Sequence, residues 1–470
     1  MIRKIAHLSS LVLVLVLLAG CTVGKRYQRP QVATPPEFRS APAGASDAAS
    51  LADEKWFQVF KDPQLQELVR KALVSNYDLR EAVARVEAAR AQLGITRADQ
   101  LPTVYGSAGV TTQRFSRNGS FTVPQNADTT RTFGSVGLNL LSFELDVWGR
   151  LRMATEAARA QLLSTEETQK AVVTTLVADV ATAYFQLLEL DSELEIAKRT
   201  LASRENSLEL IRSREKVGVA STLDVRQAEQ LVQVAGEAIP EIEQNIAQTE
   251  NLLRLLTGES PGPVKRTLAL TQQEQPPSLP AGLPSDLLAR RPDIRAAEQN
   301  LISSNALIGV ARAAYFPQIS LTGLLGFQSN QLSSLFTGAN KTWQFTPQVA
   351  QPIFTGGRLR SNVKFAEAQQ KLALVQYERT IQTAFREVSD SLIQYEKVRD
   401  VRGRQEALVG TLQDRSRLSY VRYRGGVDTL LNALDADRDL FDAELRLAQL
   451  RRNELVTIVQ LYRALGGGWQ

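Results

Sequence analysis

The feature that most constrains this 470-residue chain is that it is written twice. Asp78-Leu79-Arg80 opens a segment that runs through Leu93-Gly94, Arg97 and Pro102. Asp293-Ile294-Arg295 opens a second, through Ile308-Gly309, Arg312 and Pro317, with the same spacing. Gly149-Arg150-Leu151-Arg152 returns as Gly357-Arg358-Leu359-Arg360, Gly218-Val219 as Gly426-Val427, and Gly258 as Gly466. The register is constant among these later pairs and shifts only ahead of Gly149, where the first copy carries a longer insertion. An ordered series in one register marks a duplicated structural unit.

Each copy reads as helix, two strands, long helix, shorter helix. The first helices are expected over 63–100 and 286–314, stopped by Pro102 and Pro317, because proline cannot continue the helical ladder. Strand patterns follow. In 318–327, Ile319, Leu321, Leu325 and Phe327 alternate with Gln318, Ser320 and Thr322. In 343–353, Trp343, Phe345, Val349 and Ile353 oppose Gln344, Thr346 and Gln348. Pro347 interrupts that strand, since a strand paired on both sides loses a donor there. In the first copy Val104, Ala108 and Val110 alternate with Thr103, Ser107 and Thr111. Val136, Leu138 and Leu140 alternate until the phase flips at Leu141 and passes to Phe143, Leu145 and Val147. Such a flip marks a bulge or an exit from a bilayer. The polar loops 116–131 and 328–341 fit the long outer loops of an outer-membrane barrel. Tyr105, Phe133, Phe143, Trp148, Phe316, Trp343 and Phe354 lie toward strand ends, where aromatic girdles belong. Pattern alone leaves two soluble hairpins as the alternative.

The long helices carry a heptad repeat. Leu176, Val180, Ala183, Leu187, Leu190, Leu194, Ala197, Leu201, Leu208 and Ile211 keep a four-three spacing, interrupted by Arg204. The shorter partner continues with Ala235, Ile239, Ile242, Ile246, Leu253 and Leu256, where Pro240 is expected to kink or break it. The last helix repeats the pattern through Leu434, Phe441, Leu445, Ala448, Leu455, Val459 and Tyr462, with Arg438 and Arg452 on the seam. Residues 150–216 and 358–424 contain no proline, and each stretch spans roughly 100 Å as a helix. A filamentous coiled coil would account for the helices but not for the alternating strands. The segment 258–284 reads as a linker, with a possible short strand at 267–270, and 22–51 as a Pro/Ala/Ser-rich tether.

The N-terminus gives an address. Arg3 and Lys4, the apolar run Leu11 to Leu18, and Leu18-Ala19-Gly20-Cys21 form a secretory signal ending in a lipobox-like site. Cys21 is the expected lipidation position, and Thr22 after it points to the outer membrane. Cys21 is the only cysteine, His7 the only histidine, and Met1 and Met153 the only methionines. Zinc or copper sites, histidine triads and cysteine nucleophiles are therefore unavailable to the mature chain, and no metal ligand set or cofactor is expected beyond the lipid on Cys21. Phosphate loops and nucleophile elbows are also missing, so no catalytic residue is assigned and an enzyme is not expected. The formal charge of +5 falls to about +3 without Arg3 and Lys4, and its interleaved charges form no nucleic-acid patch. No stretch of the mature chain reads as apolar enough for a helical span, so a membrane crossing must use strands.

Four strands cannot enclose a channel, and two chains would give an eight-stranded barrel filled by side chains. Three chains give twelve strands, the smallest cyclic assembly that leaves a wide bore. The expected class is therefore a membrane α+β fold: a trimeric twelve-stranded β-barrel continued by a long periplasmic α-helical barrel. The expected division is signal 1–20, lipidated tether 21–55, first copy 56–257, linker 258–284, second copy 285–466 and tail 467–470.

On these residues the chain resembles the outer membrane factor family of the TolC/OprM-like type, in its lipoprotein branch. The resemblance covers essentially the full length. It rests on the lipobox, Trp56-Phe57 with Phe60 and Asp62-Pro63, Arg290-Arg291-Pro292-Asp293-Ile294, Gly356-Gly357-Arg358, and Tyr423-Arg424-Gly425-Gly426-Val427 leading to Leu434-Asp435-Ala436. It implies a homotrimeric duct for passive export of small toxic molecules. An inner-membrane resistance-nodulation-division transporter supplies the energy, and a periplasmic adaptor docks at the helical tip around Gly218, Val219, Gly425, Gly426 and Val427. It also implies a gate at Leu431 and Asp435, one helical turn apart, with Arg422 and Arg438 as polar partners of the closed state. The first-copy equivalents Leu223 and Gln227 lack the acid. A channel for type I protein secretion, a periplasmic adaptor lipoprotein and a surface-attached hydrolase remain the competing classes at this level.

Overall fold

The computed structural model describes residues 23–40, 50–118, 124, 126–274, 280 and 282–469; the signal segment and Cys21 lie outside the described residues. The first copy supplies α1 (Pro63–Ser75), α2 (Tyr77–Ala98), β1 (Thr103–Arg114), β2 (Thr130–Glu144), α3 (Arg150–Lys216) and α4 (Thr222–Leu256). The second supplies α5 (Pro292–Ala313), β3 (Gln318–Ser329), β4 (Lys341–Ala350), α6 (Arg358–Arg424) and α7 (Leu430–Ala464). Both long helices have 67 residues and both shorter ones 35. The chain divides into two compact units. One comprises the described part of Met1–Pro30 with Glu87–Ser164 and Ala297–Tyr377, and the other Gln31–Val86, Thr165–Ala296 and Glu378–Gln470.

The first unit carries one antiparallel sheet in the order β1-β2-β3-β4, so each copy contributes a hairpin and β2–β3 joins the two. Residues paired across neighbouring strands project from the same face. The row Gly106–Leu138–Leu325–Trp343 and the row Val104–Leu140–Gly323–Phe345 are apolar. The intervening row Ser107–Gly137–Gly326–Thr342 and the row Tyr105–Asn139–Leu324–Gln344 are mostly polar or small, and Asn139 Nδ2 donates to Ser107 Oγ at 2.7 Å. One face is thus apolar and the other largely polar. The phase flip in β2 is a bulge. Between the pairs Leu140–Gly323 and Phe143–Leu321, β2 advances by three residues and β3 by two, which keeps Phe143 on the apolar face. Pro347 lies in β4, at a sheet edge, where proline is tolerated. β4 ends at Ala350, opposite the first residue of β3, and 351–353 continue without a strand partner.

At the helix-proximal end of the sheet, the Trp148 indole N–H donates to Pro317 O at 2.8 Å and its ring stacks on Phe316 at 4.8 Å. Glu144 binds Arg150 at 2.9 and 2.6 Å, and Asp146 accepts from the Leu151 and Arg152 N–H groups at 3.1 and 2.8 Å. These acids satisfy and charge-complement the start of α3.

The second unit is built on helix packing. Tyr184, Leu187, Leu188 and Leu461 are almost completely buried, as are Leu65 and Ile381. Asp62 organises the base of α1. Its carboxylate accepts from Gln64 N at 2.8 Å, Leu65 N at 3.3 Å, Tyr184 Oη at 3.0 Å, Thr267 Oγ1 at 3.0 Å and Gln273 Nε2 at 2.8 Å. It therefore caps a helix whose first residue is Pro63 and ties it to α3 and to the segment after α4.

Several expectations need correction. The first helix of each copy is broken. Asn76 is extended between α1 and α2, and its side chain bonds Leu79 N at 2.9 Å and Leu256 O at 3.0 Å. In the second copy Arg291 is extended ahead of Pro292, as a residue preceding proline prefers. Its guanidinium binds Asp293, Glu387 and Ala464 O. Pro240 does not break α4, which runs continuously through it. Residues 267–270 form no strand; a 3-10 turn covers Leu270–Gln272. Helix α3 does contain one 18-residue window apolar enough to cross a membrane, but 61% of that window is buried. Its apolarity serves packing.

Replacing Asp62 by Ala removes a cap and strands several buried donors, so it should destabilise the second unit by about 3 kcal/mol. Thermal melts of the detergent-solubilised protein should show the loss, and Asp62→Asn should recover part of it. Equal melting of Asp62→Ala and the unaltered protein would contradict this account.

A candidate gate at the helical tip

Helix α3 ends at Lys216 and α6 at Arg424, and each turns back within a few residues into its shorter partner. The same device makes both turns. Gly218 (φ +78°) and Gly426 (φ +74°) occupy the left-handed region, with Val219 N donating to Arg214 O at 2.8 Å and Val427 N to Arg422 O at 3.1 Å. This is a Schellman-type closure, and glycine is the residue that enters that region without cost. The two hairpins then pack together: Leu208, Ile211, Val225 and Ala228 of the first copy cluster with Tyr423, Leu430, Ala433 and Leu434 of the second.

Polar chemistry separates the two turns. Helix α4 begins with a capping box, Ser221 Oγ accepting from Asp224 N at 3.1 Å while Asp224 accepts from Ser221 N at 2.8 Å. Helix α7 has Thr429 at its N-cap, whose side chain makes no cap bond; Asp428 takes over. Asp428 accepts from Arg422 Nε at 2.9 Å, Asn432 Nδ2 at 2.7 Å and Thr429 N at 2.8 Å. The Arg422 hydrogen bond, followed by those from Asn432 and the Thr429 N–H, holds its carboxyl below the usual carboxylate range. The first copy has Ala220 at that place, two residues after its repeated glycine.

Leu431 is 58% exposed, and Asp435 lies one turn further on, half exposed. Arg438 Nη2 contacts Asp435 Oδ1 at 2.8 Å, within α7. Arg415 of α6 reaches Asp435 at 3.8 Å and binds Asp439 at 2.8 Å. Arg422 does not pair with Asp435 in this chain, because Asp428 is closer to hand and engages it. Arg415, Asp428 and Asn432 were not singled out from sequence. The only signal was an Asp directly ahead of a Thr that starts a helix. The tip residues Val219 and Val427 are exposed, at 63% and 67%, as is Leu223. The seam interruption Arg204 is buried. Its Nε donates to Asp437 at 2.8 Å, its Nη1 to Leu231 O at 2.9 Å, and its guanidinium lies 4.9 Å from the Phe441 ring.

Gly426→Ala meets no atom within 4 Å, so its cost is conformational alone, about 1–2 kcal/mol. Gly403→Ala, inside α6 and equally open, should instead stabilise by about 0.5–1 kcal/mol. Opposite shifts of the melting temperature are expected, and shifts of the same sign would overturn the assignment of the turn. Because the folded pKa of Asp428 is depressed, its contribution is complete above the unfolded value of about 3.9 and is lost as pH falls through the folded value. Amide exchange at Thr429 should accelerate over that acid window, and Asp428→Asn should remove the dependence.

A sequence model of outer membrane efflux proteins matches residues 68–259 and 283–467. The toluene efflux pump outer membrane protein TtgF of Pseudomonas putida is 40% identical over 466 residues, covering 97% of this chain and 95% of the relative. The cation efflux system protein CusC of Escherichia coli is 38% identical over 455 residues, covering 96% of this chain and 97% of the relative. The open state of the MtrE outer membrane channel of Neisseria gonorrhoeae superposes with a TM-score of 0.85 at 33% identity, covering 96% of this chain and 99% of that one. The two-copy fold, the four-stranded sheet and the long helices are thus those of outer-membrane efflux channels, and the chain belongs to the outer membrane efflux protein family.

Proposed function

We propose that three copies of this chain close into one duct. Their twelve strands form a barrel in the outer membrane, and their helices form a periplasmic tunnel through which small toxic compounds leave. The observation that carries this reading is the sheet, with an apolar face, a largely polar face and two edges lacking a strand partner among the described residues. Edges of this kind are tolerated in hydrocarbon only when closed. The strands have 10 to 15 residues, enough for a tilted crossing.

A periplasmic adaptor docks at the exposed tip around Gly218, Val219, Gly425, Gly426 and Val427, and an inner-membrane resistance-nodulation-division transporter delivers the cargo. The lipid on Cys21 adds an anchor, and no other cofactor takes part. The reading that neutral as well as charged cargo passes is supported by one relative named for toluene efflux and another named for cation efflux. In the trimer, Asp435 and Leu431 ring the tip, and Arg438 and Arg415 hold the acid in place.

Light scattering of the detergent-extracted protein should give three chain masses, and a stable folded monomer would remove the barrel. In planar bilayers Asp435→Ala should conduct more than the unaltered trimer. Equal conductance from intact trimers would dismiss the gate while leaving the duct standing.

A further inference from the structure

Only four residues of the four strands are charged. The single carboxylate, Glu144, lies at the end from which the helices leave. Arg114, Arg131 and Lys341 lie at the opposite, loop-bearing end. Register places Lys341 on the apolar face, in the row Ala108–Val136–Phe327–Lys341. Arg114 shares that face two residues beyond Thr112 and four beyond Val110.

The apolar face is not uniform. Gly106 and Ala108 of β1 leave a trough beside Leu138 and Leu325, with a volume of about 750 Å³. The loop between β3 and β4 folds over it from the outer end. Phe336 packs edge-on against Phe327 at 5.5 Å, and Leu332 covers Gly134 so closely that a Cβ there would lie 2.7 Å from it. Lys341 stands at the mouth, with no ion pair among the described residues. An apolar trough on a lipid-facing surface, with a cation at its outer end, is complementary to one kind of molecule.

We propose that this trough binds an acyl chain of a phosphate-bearing anionic lipid of the outer leaflet, with the Lys341 ammonium on the lipid phosphate. The inference rests on the barrel reading, which sets the apolar face against lipid and the loop end outward. Trough residues two apart on a strand span about 7 Å of depth. The chain would therefore enter just below the headgroup level that Lys341 occupies.

The test is native mass spectrometry of the full-length trimer released from nanodiscs containing phosphatidylglycerol and phosphatidylcholine in equal amounts. The unaltered protein should retain phosphatidylglycerol in preference, up to one molecule per chain. Lys341→Gln should lower that preference about tenfold, the scale of one charge-assisted contact. Ala108→Trp, which fills the trough, should lower retention of both lipids. Trimer mass and conductance are measured on the same samples. Conducting trimers that hold the two lipids equally, with or without Lys341, would overturn the lipid site and spare the barrel. Failure of the unaltered protein to form membrane trimers would overturn both.

Discussion

A four-stranded sheet has two edges, and among the described residues neither has a strand partner: β1 pairs only with β2, and β4 only with β3. Every backbone N–H and C=O along those edges must find a partner. In hydrocarbon the cost of failing is several kcal/mol per group. That requirement orders most of what the strands do. Their faces separate into apolar and largely polar, the bulge in β2 preserves that separation through a change of phase, and their charges are confined to the two ends. A single chain presents an unfinished surface, and the proposed trimer is the way to finish it without adding a residue.

Duplication supplies the parts but not their chemistry. Both copies use the same glycine closure between long and short helices, at Gly218 and Gly426. Around it the polar groups diverge. Arg204 finds a buried acid in Asp437, whereas the residue equivalent to Arg204 in the second copy, in the register that pairs Gly218 with Gly426, is Leu412. Desolvation offsets much of the attraction within such a buried pair, so its effect lies chiefly in what happens when one partner is lost. The Arg204 side chain is 2% exposed, with a carboxylate, a carbonyl and an aromatic face around it. One inter-hairpin contact is therefore electrostatic and strongly sited, while its counterpart is free of such a demand. At the base of α3, Glu144 and Asp146 are likewise engaged by Arg150 and Arg152, where the second copy has Pro352 and Phe354. Equal backbones thus carry unequal constraints.

Much of this was legible in sequence because the signals were long. A 67-residue heptad stretch without proline fixes its own limits, and two-residue alternation in β3 and β4 fixes which side chains share a face. Short-range competition was harder to read. Asn76 breaks the first helix because its side chain offers Leu79 N–H a better partner than a continuing ladder would, and nothing in the periodicity marks that exchange. Pro240 fails to break α4 because tertiary packing around Ile242 and Ala235 outweighs one missing donor. Arg422 belonged, by motif, to Asp435, but Asp428 is six residues away across a tight turn and wins it. Pair choice among many nearby arginines and carboxylates depends on rotamers, and periodicity does not contain them.

The cap and the candidate gate are one mechanical unit. Asp428 fixes the first turn of α7, Leu431 lies in that same turn, and Asp435 follows one turn later. Any movement of the first turn therefore rotates both Leu431 and Asp435 with it. The restraints on that turn are exposed hydrogen bonds to Arg422 and Asn432, but its underside is apolar, with Leu430 and Ala433 buried in the inter-hairpin cluster. Exposed polar bonds exchange readily with water at small net cost, whereas apolar burial resists separation. The tip is thus easier to twist about its buried contact than to pull away from it, and loss of the Asp428–Arg422 bond would turn the Leu431–Asp435 face without unpacking the hairpins.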